Sequence, residues 1–137
     1  MSSPEAAPTG PRILLHSDSA DVRAQVRLGV GRRLARGAAE VDWVEVATAG
    51  AVVATVERGG VDLVVLDGEA DKEGGLGLCR RLKDEVFGCP PVLVLTGRPQ
   101  DAWLASWSEA DAAVSRPLDP QVLREAVVGL LAPARTA

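Results

Sequence analysis

Apolar residues along this chain fall into two patterns: short unbroken runs, and stretches in which they recur every three or four positions. Ile13-Leu14-Leu15, Leu63 to Leu66 and Val92 to Leu95 are continuous runs bounded by polar or Gly/Pro-bearing segments, which is how strands buried on both faces read. Val41 to Ala47 mixes apolar with acidic residues and predicts a more exposed edge strand, with Trp43 helping to cover the sheet. Ala112 to Val114 predicts a weak last strand. Between these runs, Val22, Val26, Val30 and Leu34 form a stripe over a helix from about 20 to 35, capped by Ser19. Thr48 caps a helix carrying Val52, Val53 and Val56 that ends at Gly59-Gly60. Leu76, Cys79, Leu82 and Val86 mark a third helix, and Pro99 opens a short one holding Trp103 and Trp107 at i, i+4. Asp119 and Pro120 begin the last, with apolar pairs from Val122/Leu123 to Leu130/Leu131.

Five strands alternating with five helices predict an α/β fold, a parallel sheet wound on both faces through right-handed crossovers. Residues 12–132 are expected to form one domain. Residues 1–11 carry three prolines and little to bury, so they are expected to be a disordered tail, with 133–137 a short second one.

A net charge of -4 and a pI of about 5.0 argue against a nucleic-acid grip by charge alone. Five arginines between Arg23 and Arg36 read as a solvated helix face, with Arg32, Arg33 and Arg36 near the helix's negative end. Cys79 and Cys89 lack zinc-type spacing or a secretory framework, so reduced thiols are expected. The sequence shows no basic and apolar leader and no run of about 18 apolar residues, so a cytoplasmic protein without membrane contact is the expectation.

Open parallel sheets collect ligand sites at the carboxyl ends of their strands. Asp18 follows the first strand, Asp67 ends the third, Thr96 the fourth, and Arg116 follows the fifth. Two carboxylates, a hydroxyl and a cation at one edge can hold a divalent ion together with an anionic group. Magnesium suits such a set, because it takes one or two carboxylates, keeps several waters and completes its shell with phosphate oxygens.

These residues resemble the receiver domain of two-component response regulators. Asp18, Asp67, Gly75-Leu76 eight and nine residues beyond Asp67, Thr96-Gly97 and a cation before Pro117 stand in family-like order over roughly residues 12–132. The resemblance implies strand order 2-1-3-4-5 in a flavodoxin-like doubly wound sheet. It implies that Asp67 is the phosphoacceptor, supplied by a sensor histidine kinase or a phosphotransfer protein. It further implies that Asp18, Asp67 and the main-chain carbonyl of Glu69 hold Mg²⁺, that Thr96 and Arg116 stabilise the phosphoryl group, and that the bond before Pro117 is cis. On this reading the protein is no enzyme beyond Mg²⁺-dependent self-phosphorylation and self-dephosphorylation. Only Pro133 to Ala137 follow the last helix: a whole protein of this sequence is expected to act on an unidentified downstream protein, and a fragment to have its effector outside the sequence.

Four positions depart from the family pattern. Ser17 replaces the first of two adjacent acids, which lowers the site's negative charge and predicts weak Mg²⁺ binding. Arg116 replaces a lysine, a planar fork in place of a point charge. Ala113 stands where a switch aromatic usually lies, and Glu109 where glycine does. Glu69 either returns negative charge to the site or pairs with Arg98. An alternative follows from these departures: a phosphorylation-independent interaction module that binds a partner through Trp103 and Trp107. His16, the only histidine, reads as a packed or solvated strand end rather than a catalytic group. Gly29-Val30-Gly31 and Gly75-Leu76-Gly77 are weak dinucleotide signals, and a flavodoxin-like small-molecule site finds only one Phe and no Tyr to line it.

Overall fold

The computed structural model describes residues 10–69, 74–98 and 101–132. Five strands, β1 (Arg12–His16), β2 (Asp42–Val46), β3 (Leu63–Asp67), β4 (Val92–Thr96) and β5 (Ala112–Ser115), form one sheet of order β2-β1-β3-β4-β5. Every pairing is parallel. Four helices of ten to twelve residues connect and follow them: α1 (Ala20–Val30), α2 (Ala49–Arg58), α3 (Gly74–Glu85) and α5 (Pro120–Leu131). The helix between β4 and β5, α4 (Ala102–Trp107), has only six.

Alternation along the buried strands divides the core in two. Ile13, Leu15, Leu63, Val65, Leu93 and Leu95 pack with Val26 and Val30 of α1 and Leu123 and Val127 of α5. Leu14, Val64, Leu66, Val92 and Val94 face the other way, onto Val52 and Val56 of α2 and Leu78, Cys79 and Leu82 of α3. Each fully buried Val or Leu contributes about 1.5–3 kcal/mol relative to an exposed one, so these two layers supply the fold's main driving force. The continuous apolar runs exist because β1, β3 and β4 are covered on both faces. β2 lies at the edge as expected, with Trp43 partly buried against the α1/α5 layer. Burial pushes the Cys79 thiol up from 9.0 to about 11, and it stays protonated within its layer.

Three side-chain caps fall where the sequence puts them. Ser19 accepts from the Val22 N–H, Thr48 from Ala51, and Asp119 from Gln121 and Val122. The first helix is shorter than its apolar stripe predicts: it stops at Val30, where Gly31 takes φ of 90° and returns its N–H to the Arg27 carbonyl. Leu34 keeps its apolar contact with the core from the following loop. Arg124 of α5 holds that loop in place, donating to the carbonyls of Val30, Arg33 and Leu34. Arg32 and Arg33, read as the helix's last turn, belong to this loop and both face Glu40.

At the amino end, Gly10 donates to the Glu40 carbonyl and the Pro11 carbonyl accepts from the Asp42 N–H, so residues 10 and 11 are tied to the segment leading into β2. The rest of the predicted tail, the tail from 133, and Pro99 lie outside the described residues. Among the described residues no helix is long and apolar enough to cross a membrane.

Candidate functional site

Register places the chemistry. Asp67 pairs with Leu95 and Thr96 with Ser115, while His16 ends β1 beside Leu66. Asp67, Thr96, Ser17 and Arg116 therefore meet at the carboxyl edge of the sheet, with Asp67 and Thr96 buried. Gly75, at the start of α3, packs directly onto this edge: a Cβ there would stand 2.4 Å from the Asp67 carbonyl oxygen, closer than any side chain permits.

The Asp67 carboxylate is held by three donors. Ser17 Oγ donates to Oδ2 at 2.8 Å. The Glu69 N–H donates to Oδ1 at 3.0 Å, and Arg116 Nη2 donates to the same oxygen at 2.6 Å. The last contact is a charge-assisted bond to a nearly buried carboxylate. Arg116 follows Ser115 at the end of β5, and the Arg116–Pro117 bond is cis. Its Nε–H is buried with no hydrogen-bond partner among the described residues. The nearest acid to it is Glu69, with Oε1 at 3.7 Å. Of the two alternatives for Glu69, the side chain thus takes the one toward the site, and Arg98 pairs with Asp101 instead.

Thr96 Oγ1 donates to Ser115 Oγ at 3.2 Å, so its hydroxyl is engaged by β5, on the far side of β4 from Asp67's strand. Ser115 escaped the sequence reading because a serine ending a weak strand carries no signal of its own. Arg23 escaped it as well. It lay in an arginine-rich stretch that reads as solvated, yet its guanidinium donates to the Ser17 carbonyl and pairs with Glu45 of β2 at 3.1 Å. Arg27, one turn on, takes the other Glu45 oxygen at 2.9 Å. The i, i+4 spacing of the two arginines was the available clue.

Asp18 is exposed at the rim. Ala113 is exposed on β5, so no aromatic side chain stands at that position. Trp103 and Trp107 are 66% and 49% exposed, and Arg80 of α3 lies 4.9 Å above the Trp107 ring. His16 is buried at the end of β1, on the opposite side of the strand from Leu15.

Asp18, Asp67 and the Glu69 carbonyl are all hard oxygen donors, and two carboxylates meet magnesium's minimum. No group of three His, Cys, Asp or Glu residues capable of holding a metal occurs among the described residues.

Two proteins from two strains of Mycobacterium tuberculosis, both named uncharacterized response regulatory proteins, are 52% identical to this chain over 127 residues. The match covers 92% of this chain and 96% of each relative. The chain belongs to the response-regulator receiver family. No family model matches it. The receiver fold is shared with solved structures as well. A LuxR-family two-component response regulator from Aurantimonas is 28% identical, with TM-score 0.74 over 90% of this chain and 86% of that one. The receiver domain of a histidine kinase from Syntrophus aciditrophicus is 24% identical, with TM-score 0.75 over 93% and 96%. A CheY-like receiver from Methanospirillum hungatei is 22% identical, with TM-score 0.68 over 88% and 93%.

Proposed function

We propose that Asp67 accepts a phosphoryl group from a phosphohistidine on a sensor kinase or phosphotransfer protein, and that this changes the affinity of the receiver for a downstream protein. An Asp67 oxygen forms the new P–O bond as the P–N bond to the donor imidazole breaks, and the imidazole leaves with the electron pair and takes up a proton. Thr96 and Arg116 receive the phosphoryl oxygens, and Ser17 and the Glu69 N–H keep the acceptor in one orientation. Asp18, Asp67 and the Glu69 carbonyl would hold Mg²⁺, weakly because Ser17 has replaced an acid. The ion supplies countercharge to the phosphoryl group when bound.

The single observation that carries this reading is the state of Arg116, which spends one donor on Asp67 and keeps another, buried and unused, beside it. A buried N–H without an acceptor is costly, and an oxyanion arriving at Asp67 would satisfy it. The test is intact mass after incubation with acetyl phosphate, with and without magnesium, beside Asp67→Asn. A magnesium-dependent gain of one phosphoryl group that the variant loses is the expected result.

A second reading has its own support. Asp67 is already neutralised by Arg116, and two tryptophans stand exposed on α4, with Arg80 stacked against one of them. An interaction module that works without phosphorylation would look like this. No mass gain in a folded sample at high magnesium and donor would select it.

A further inference from the structure

We infer that Glu69 is an internal competitor for the phosphoryl position: in the resting protein its carboxylate occupies the ground between Arg116 and Gly97 that the arriving group must take. This rests on the reading of Asp67 as acceptor and says how that site is regulated. Arg116 Nε–H faces Glu69 Oε1 at 3.7 Å, near enough for charge attraction and too far for a hydrogen bond. On the other flank, a Cβ built on Gly97 would lie 2.1 Å from Glu69 Oε2 and 2.6 Å from its Cδ. The carboxylate therefore rests on the Gly97 backbone, next to Thr96, and fills the room that the missing side chain leaves.

Glu69 is suited to leaving this position. Its N–H is tied to Asp67, yet its side chain is 59% exposed, so the carboxylate can swing to water without disturbing the acceptor. A phosphoryl group and this carboxylate carry charge of the same sign and seek the same cation. A phosphoryl oxygen that takes Arg116 Nε meets the Glu69 carboxylate 3.7 Å from the same atom, so entry of the group favours exit of Glu69.

The experiment compares wild type with Glu69→Gln and Glu69→Ala, each checked by thermal melting. One measurement is the initial rate of phosphoryl uptake from acetyl phosphate by intact mass. The other is the affinity for inorganic phosphate, read from the backbone amide shifts of Thr96 and Gly97 and requiring no covalent step. Both variants are expected to bind phosphate roughly three- to tenfold more tightly and to be phosphorylated faster by a similar factor, with the gap narrowing as salt is added. Phosphate affinity that is unchanged, weaker or undetectable in the variants overturns the competitor, even if all three proteins are phosphorylated. Tighter phosphate binding with no phosphoryl uptake by any of them would instead sink Asp67 as acceptor and leave the competition standing.

Discussion

Asp67 has two flanks, and they are built differently. On the Ser17 side, the serine is tied down at both its hydroxyl and its carbonyl. Ser17 is fully buried, and its hydroxyl donates to Asp67 while accepting from the Ser19 N–H. Its carbonyl is held by Arg23, and Arg23 and Arg27 share Glu45. On the Arg116 side the side chain is 26% exposed, one guanidinium donor is unused and the facing acid is free to rotate into water. The closed flank fixes where the carboxylate is, and the open flank decides what reaches it. Glu69 stands on the open flank, facing Arg116.

Removing the cation is the severest way to break this contrast. Arg116→Ala leaves a nearly buried carboxylate without countercharge. It should cost about 1–3 kcal/mol in urea unfolding, less than a fully buried pair because Arg116 is partly solvated. Phosphoryl uptake should fall on the order of a hundredfold, in line with losing one donor to a developing oxyanion. A variant as stable and as quickly phosphorylated as wild type would show that the open flank is not the working one.

Substitutions at Ser17 sharpen the comparison from the closed side. Ser17→Ala deletes the donor to Asp67 Oδ2 and should cost about 1–2 kcal/mol, read by the same unfolding curve. Ser17→Asp puts a second carboxylate against the first. Without metal it should be less stable than wild type, and magnesium should raise its melting temperature by several degrees more than it raises that of wild type. Equal magnesium shifts in the two proteins would mean that the acid lost at this position is not what limits metal binding. Smallest is Thr96→Ala, which gives up one hydroxyl contact to Ser115. It should cost about 0.5–1.5 kcal/mol and slow phosphoryl uptake by a few-fold.

Much of the architecture was legible because it depends on local pattern. The doubly buried strands announce themselves as unbroken runs of Leu and Val, and the helices as stripes capped by Ser19, Thr48 and Asp119. Asp67, Thr96 and Arg116 were identifiable as strand-end residues, and parallel connectivity brings strand ends together whatever lies between them. Where the pattern misled, a competing local signal was present. The stripe through Leu34 continued the helical period past Gly31, and the glycine ended the helix while Leu34 kept its apolar contact from a loop.

What the sequence could not decide were the partners of charged side chains. Nothing in the order of residues says whether Glu69 turns to Arg98 or Arg116, or that Arg23 is spent on a backbone carbonyl while its neighbours Arg32 and Arg33 face Glu40. Long polar side chains reach several ångströms, and their choice of partner depends on which groups the folded backbone places within that reach. Residue type, the alternation of strands with helices and buried periodicity belong to the chain itself. The paired and unpaired donors around Asp67 belong to the packed sheet, because a hydrogen bond between residues fifty positions apart exists only once β1, β3 and β5 have brought their ends together.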